Sequence, residues 1–162
     1  MNLLQIRAKT TVESHIRRSG SCGGGVGKTD SVPNGQLHHV ELWVPDLDRA
    51  IASLGWLLEA LAYAPHQSWE RGRSWLLGDT YIVVEQSPAM AGATHDRMQP
   101  GLNHLAFHAG LVAECDEIIS DALGHGWELL FVDRHPNAGG RDHHAGYLVN
   151  ADGFEVELVA ES

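Results

Sequence analysis

The sequence predicts an α+β fold made of two tandem modules, each with the element order βαβββ. A strand pattern, an amphipathic helix pattern and three further strand patterns follow one another twice along the chain. The chain has 162 residues, of which 43% are hydrophobic, so it can bury the core of one such domain. We place module 1 at about residues 36–86, a linker at 87–100 and module 2 at about 101–161.

The first module begins with the stretch QLHHVELWVPDLD at residues 36–48, which alternates with a period of two residues. One face of this strand is apolar and comprises Val40, Leu42 and Val44. The other face carries His39, Glu41 and Trp43. Pro45 and Asp46 end the strand, and Asp46 is the expected N-cap of the helix that follows.

Apolar residues recur at helical spacing from Leu47 to Leu61 and predict an amphipathic helix of about four turns. Three strands are predicted after it, at Ala64–Glu70, Ser74–Leu77 and Tyr81–Gln86. The second module repeats this order. Its predicted elements are a strand at Leu102–Ala109, a helix at Val112–Leu123 and strands at Trp127–Val132, Tyr147–Val149 and Phe154–Val159.

Residues 1–35 differ from the rest of the chain, because they are rich in glycine and serine, and we predict a disordered leader there. The segment GGGVGKT is similar to a phosphate-binding loop. However, Cys22 stands where that motif needs its first glycine, and no strand precedes it. Cys22 and Cys115 are the only cysteines, too few for a disulfide framework, which favours a cytoplasmic protein.

The formal net charge is −10, and the acidic excess lies after the leader, where no lysine occurs. An acidic body repels nucleic acid and anionic lipid, so we expect neither as a partner. No apolar run is long enough to span a bilayer, so no membrane partner is expected either.

Two histidines and two glutamates fall at matching places in the predicted modules. His39 and His104 lie in the first strands, and Glu85 and Glu157 lie in the last strands, all on polar faces. Two imidazoles and two carboxylates that converge inside a sheet can hold a divalent metal and leave room for a substrate. The alternative is that each is a surface group or a hydrogen-bonded core group.

Three stretches carry a resemblance to a known family: HHVELWVPDLDRA, NHLAFHA and NADGFEVELV. They resemble the vicinal oxygen chelate superfamily, which includes glyoxalase I, bleomycin resistance proteins and extradiol dioxygenases. The resemblance covers about residues 37–161. It implies paired βαβββ modules that form a curved eight-stranded mixed sheet around a metal-binding concavity, with the helices outside.

The resemblance also implies a function and a cofactor. The family's metal positions fall on His39, Glu85, His104 and Glu157, and this set is similar to that of bacterial glyoxalase I. We therefore expect one divalent ion (Ni, Co, Zn, Mn or Fe) and a lyase, isomerase or epimerase whose small substrate chelates the metal through neighbouring oxygens. Two alternatives remain open: an extradiol-type Fe(II) dioxygenase and a non-catalytic drug- or metabolite-binding resistance protein.

Further residues are predicted to serve the site. Glu85 or Glu157 would move a proton, Tyr147 would donate a hydrogen bond to an oxyanion, and His108 would act in proton relay. His38 is expected to point to the apolar side. The polar loop at residues 133–145 is a candidate lid or substrate loop, and it contains His135, Arg141, His143 and His144.

We also predict a homodimer, because a sheet built from two small modules has edges to protect and the superfamily commonly pairs modules across subunits. The sequence leaves open whether the two modules of one metal site come from one chain or from two.

Overall fold

The computed structural model describes residues 34–161. The predicted leader therefore lies almost wholly outside the described residues. Within them the element order is βαβββ twice over. The strands are β1 (His39–Trp43), β2 (Ala64–Trp69), β3 (Gly72–Leu77), β4 (Thr80–Glu85), β5 (His104–His108), β6 (Trp127–Leu129), β7 (Ala145–Asn150) and β8 (Glu155–Val159). The helices are α1 (Leu47–Ala50), α2 (Trp56–Ala60) and α3 (Val112–Ala122).

The eight strands form two four-stranded mixed sheets of identical topology. The strand order is β1-β4-β3-β2 in one sheet and β5-β8-β7-β6 in the other, so β1 and β5 each lie at a sheet edge. In both sheets the first and last strands pair in parallel, and the other pairs are antiparallel. The predicted α+β fold of tandem βαβββ modules is confirmed. Its eight strands are divided equally between two hydrogen-bonded sheets.

The first helix begins as predicted at Asp46, whose side chain accepts a hydrogen bond from the backbone N–H of Arg49. A π-helical turn, Ile51–Gly55, joins α1 to α2 without a break. Gly55 allows close packing there, because a Cβ atom at this position would lie 2.7 Å from the ring of Trp75. The Trp75 indole N–H in turn donates to Glu59 on α2 at 3.0 Å.

One hydrophobic core serves both modules. It joins the apolar faces of β1 and β4 to those of β7 and β8 through the helices, with Leu42, Leu57, Val84, Leu148 and Leu158 among its buried members. Because the apolar faces of both sheets contribute to this core, their polar faces point away from it.

Polar contacts between the modules lie on the helical side of the first sheet. The Trp127 indole donates to the backbone oxygen of Ser53 at 3.3 Å, and the Asn150 amide donates to the Ser53 hydroxyl at 3.3 Å. Arg49 Nε donates to Asp152 at 3.0 Å. The two modules of one chain therefore meet through the first module's helices.

Two segments lack regular structure: residues 87–100, before β5, and residues 130–144, between β6 and β7. Both contain turns and bends. Strand β6 ends at Leu129, earlier than predicted, because Phe131 has a φ of 52°, which a strand cannot continue through.

No helix within residues 34–161 is long and apolar enough to cross a membrane.

Candidate functional site

The polar face of the second sheet gathers three side chains around one carboxylate, that of Glu157. Glu157 Oε1 accepts hydrogen bonds from the Tyr147 hydroxyl at 2.5 Å and from His143 Nε2 at 2.6 Å. Glu157 Oε2 lies 3.2 Å from His104 Nε2. Three of these four residues are among the predicted site residues, and the fourth belongs to the predicted lid loop.

Strand register explains why these side chains meet. Tyr147 on β7 is the direct antiparallel partner of Glu157 on β8, so their side chains share a face. On the other side β5 runs parallel to β8, with Ala106 opposite Glu157. His104 lies two residues before Ala106, on the same face of β5, and its side chain reaches the carboxylate from that position.

The loop before β7 completes this arrangement. His143 reaches Glu157 from residues 133–145, while its neighbour His144 turns to Asp116 on α3 at 2.8 Å. Gly139 lies against the pair of donors, because a Cβ atom there would be 2.5 Å from His143 and 2.8 Å from the Tyr147 oxygen. The loop thus packs on the carboxylate through small and polar residues.

Burial and hydrogen bonding act in opposite directions on Glu157. Burial of Glu157, which is 7% exposed, raises the pKa of its carboxyl group. The hydrogen bonds from Tyr147 and His143 and the nearby imidazoles lower the pKa by more than burial raises it. The net effect is a pKa below the ordinary value, so the group is a carboxylate at neutral pH. Burial and the neighbouring carboxylate raise the pKa of Tyr147 to about 12, which keeps its hydroxyl a donor.

A second carboxylate lies on the same face. Glu155 is 4% exposed and pairs with Arg97 of the linker at 2.6 Å. Burial raises the Glu155 pKa, and the Arg97 charge opposes that effect. Strand alternation places Glu155 on the face of Glu157, two residues away on the same strand, but no signal in the sequence identifies Arg97 as its partner.

The first sheet does not repeat the carboxylate. His39 on β1 is opposite Tyr81 on β4, and the two rings stack with centroids 4.9 Å apart. His39 and His104 occupy the same position in their sheets, so the counterpart of Glu157 is the residue two places after Tyr81, namely Val83.

The predicted equivalence of Glu85 and Glu157 is therefore wrong. Glu85 is opposite Trp43 at the far end of β1, and its counterpart in the second sheet is Val159. The sequence alignment of the two modules was displaced by two residues, because a shift of two leaves the alternation of a strand unchanged. Glu85 remains on the polar face of the first sheet, half-buried.

Two other predicted residues lie apart from the Glu157 cluster. His108, at the end of β5, is exposed and lines a cavity of about 430 Å³ with residues of α3. His38, expected to face the apolar side, is exposed, and its Nδ1 atom lies 2.8 Å from Nδ1 of His39. Among residues 34–161 no group of three or more His, Cys, Asp or Glu side chains could hold a metal ion.

The donor atoms of the second sheet nevertheless fit one side of a divalent metal site. Both donors on Glu157 bond to Oε1, and the Nδ1 atom of His104 lies 2.8 Å from Asn103 Oδ1. The remaining atoms, Oε2 and Nε2, face each other at 3.2 Å. A carboxylate oxygen and an imidazole nitrogen are suitable ligands for Mn, Fe, Co, Ni or Zn.

Comparison with known proteins identifies the family. A sequence model of the Glyoxalase/Bleomycin resistance protein/Dioxygenase superfamily matches residues 38–147. The chain belongs to this superfamily.

Relatives of the chain agree with this assignment. It is 40% identical over 128 residues to the uncharacterised protein YqjT of Bacillus subtilis (strain 168), covering 78% of this chain and 99% of that protein. It is 42% identical to a proposed glyoxalase from Bacillus halodurans, whose crystal structure superposes with a TM-score of 0.75 over 79% of this chain and 97% of the other.

A more distant likeness shows the fold alone. The fosfomycin resistance protein FosX from Listeria monocytogenes, crystallised with Mn(II) and 1S,2S-dihydroxypropylphosphonic acid, is 20% identical. Its TM-score is 0.56, over 79% of this chain and 91% of the other.

Proposed function

We propose that the protein is a metal-dependent enzyme of the glyoxalase type, a lyase, isomerase or epimerase whose small substrate binds through two neighbouring oxygens. The observation that carries this proposal is the pair formed by His104 Nε2 and Glu157 Oε2 at 3.2 Å, with the other polar atoms of both side chains engaged in contacts. FosX, a member of the same fold group, holds Mn(II), which supports a divalent ion here.

The third ligand in this proposal is His39 of a second copy of the chain. Three observations support it: His39 occupies the position in the first sheet that His104 has in the second, it is exposed, and it lies on an edge strand. The polar faces of both sheets point away from the shared core, and the side chain of His104 is 31% exposed, so another subunit can reach this ligand. We therefore propose a homodimer whose site joins module 1 of one chain to module 2 of the other.

A metal held by His39, His104 and Glu157 would supply Lewis-acid stabilisation for negative charge on two substrate oxygens. Tyr147 and His143 hold Glu157 through one oxygen, so the carboxylate presents Oε2 to the site. Carboxylates on the polar face of the first sheet, Glu41 and Glu85, are the proposed groups that move a substrate proton.

A second function is favoured by Val83. With an apolar residue at this position, the proposed ligand set is two histidines and one carboxylate, the arrangement of Fe(II) oxygenases that bind substrate and oxygen together. Tyr147 beside the carboxylate is compatible with that chemistry. An extradiol-type dioxygenase is therefore the alternative enzyme.

Metal loading followed by two assays distinguishes the proposals. Metal-free protein is titrated with Mn, Co, Ni, Zn and Fe(II), and each loaded form is tested with hydroxy-ketone or thiol-adduct substrates and, for iron, with catechols. Turnover without oxygen consumption supports the proton-transfer enzyme, and oxygen uptake with catechols supports the dioxygenase. If no ion binds and drug-like ligands bind to the metal-free protein, it is a non-catalytic binding protein.

We further propose a cytoplasmic location and small-molecule partners. The acidic charge of −10 disfavours binding to nucleic acid or to anionic membranes. Fractionation of cells and binding assays with DNA and anionic vesicles would test both statements.

A further inference from the structure

The residue before each of the two equivalent histidines contacts the Nδ1 atom of that histidine. In the second module Asn103 Oδ1 lies 2.8 Å from His104 Nδ1. In the first module His38 Nδ1 lies 2.8 Å from His39 Nδ1. The two contacts are equivalent in position, because His39 and His104 begin the corresponding strands β1 and β5.

The direction of the bond at His104 follows from the neighbours of Asn103. The Asn103 side-chain amide donates through Nδ2 to the backbone oxygen of Arg97 at 3.0 Å. Since a carbonyl oxygen only accepts, this bond fixes the amide orientation and leaves Oδ1 toward His104. Oδ1 also only accepts, so His104 Nδ1 must carry the proton and donate it.

A proton on Nδ1 decides which nitrogen of His104 can bind a metal. In a neutral imidazole one nitrogen is protonated, and the other has the lone pair. With Nδ1 as the donor, a neutral ring has its lone pair on Nε2, the atom that lies 3.2 Å from Glu157 Oε2. In the metal-free protein a second proton on Nε2 would bond to that oxygen, and a metal ion would take the place of this proton. Asn103 thereby directs the lone pair of His104 to the proposed site.

We propose that Asn103 and His38 are positioning residues that hold Nδ1–H of His104 and of His39 and so present Nε2 of each for metal binding. This inference rests on the proposed function, since the benefit of the tautomer is a ligand atom. Residues that accept from the second nitrogen of a metal-binding histidine fix its ring and raise its basicity. In the first module the matching position is taken by His38 Nδ1, which in this proposal accepts from His39 Nδ1.

A role in the hydrophobic core does not account for these residues. Asn103 and His38 are both exposed, and neither contributes to the hydrophobic core of the described residues. Asn103→Leu also removes the bond to the Arg97 backbone oxygen, and the His38 ring contacts the ring of Tyr81. The melting temperature of each variant is therefore measured beside the histidine signals, which separates positioning from stability.

The test uses imidazole ¹⁵N–¹H NMR on the full-length, metal-free protein, at a pH well above the ordinary histidine pKa of about 6.5. His104→Gln assigns the His104 signals. Wild-type protein should show a hydrogen-bonded proton on Nδ1 of His104, and Asn103→Leu should lose that proton in favour of Nε2–H alone. Asn103→Asp keeps the oxygen acceptor but loses the donor to Arg97, so it should retain the proton on Nδ1 if the acceptor is what matters.

Metal titration provides the second readout. Asn103→Leu should weaken Mn or Ni binding by about 10- to 100-fold, the usual effect of losing such a partner. In the first module His38→Leu should act in the same way, and His38→Asn should bind like wild type, because asparagine already fills this role in the second module.

The outcomes separate this inference from the proposed function. If the His104 tautomer is the same in wild type and Asn103→Leu, the positioning role is overturned, even where wild type binds metal. If the tautomer changes as expected but wild-type protein binds no divalent ion, the hydrogen-bond role stands and the proposed metal-dependent function fails.

Discussion

The two sheets share one topology but present different polar faces. In the second sheet the face carries two buried carboxylates, Glu155 and Glu157, with His104 and Tyr147 around them. At the matching positions the first sheet has Tyr81, Val83, His39 and Ser74. Only the histidine is common to both.

This difference shows what the duplication has kept and what it has lost. The fold needs the same alternation in both modules, so the apolar faces are alike. The buried carboxylates Glu155 and Glu157 have no counterparts in the first module, which also lacks the hydrogen-bond donors that Tyr147 and His143 supply to Glu157. The second module therefore supplies the charged ligand of the proposed site, and the first supplies a histidine together with the carboxylates Glu41 and Glu85.

The largest expected effect distinguishes Glu157 from Glu85. Glu157→Gln should weaken divalent-metal binding by about 100-fold or more, because it removes the charged ligand. Glu85→Gln should change the affinity by less than about twofold, since register places Glu85 opposite Trp43 and not beside His39. Calorimetric titration of both variants measures this, and equal losses would restore Glu85 as a ligand.

Removing a donor to the carboxylate should have a smaller effect. Tyr147→Phe deletes the hydroxyl that bonds to Glu157 Oε1, and we expect metal affinity to fall by about 10- to 100-fold. The matched control is Tyr81→Phe, which keeps the ring that stacks on His39 and should bind metal like wild type. A similar loss in the two variants would show that the hydroxyl bond to Glu157 has no special role.

Adding a carboxylate to the first sheet should make the two faces alike. Val83 is 8% exposed, so Val83→Glu buries a charge and should lower the melting temperature of metal-free protein. With metal present, the new carboxylate should serve as a fourth ligand and raise the affinity by about tenfold. Unchanged affinity and no rescue by metal would mean that Val83 does not face the site.

The smallest expected effect concerns the loop. Gly139→Ala places a methyl group 2.5 Å from His143 and 2.8 Å from the Tyr147 oxygen, so both donors must move. Metal affinity should fall by about threefold to tenfold, at the weak end of outer-shell effects. Gly92→Ala is the control, because nothing lies within 4 Å of its added Cβ atom. Titration showing identical affinities would place the loop outside the site.

The fold could be predicted from the sequence because alternation and helical spacing recur in both modules. The same alternation could not fix the alignment between them: Val83 and Glu85 lie on one face, and only strand pairing identifies the counterpart of Glu157. Other contacts at the site are made by loop residues, namely His143, Asn103 and Arg97. Because loop conformation leaves no periodic pattern in the sequence, these contacts could not be predicted from it.

The proposal that one site joins two chains is tested most directly by mixing two inactive variants. His39→Ala lacks the ligand from the first module, and Glu157→Gln lacks the ligand from the second. If the site is shared between subunits, each mixed dimer has one site with both defects and one intact site. Unfolding and refolding the two variants together, followed by metal analysis of the purified mixed dimer, should give about one tightly bound ion per two chains, with activity restored accordingly. A mixed dimer that binds no more metal than either parent would contradict the shared site.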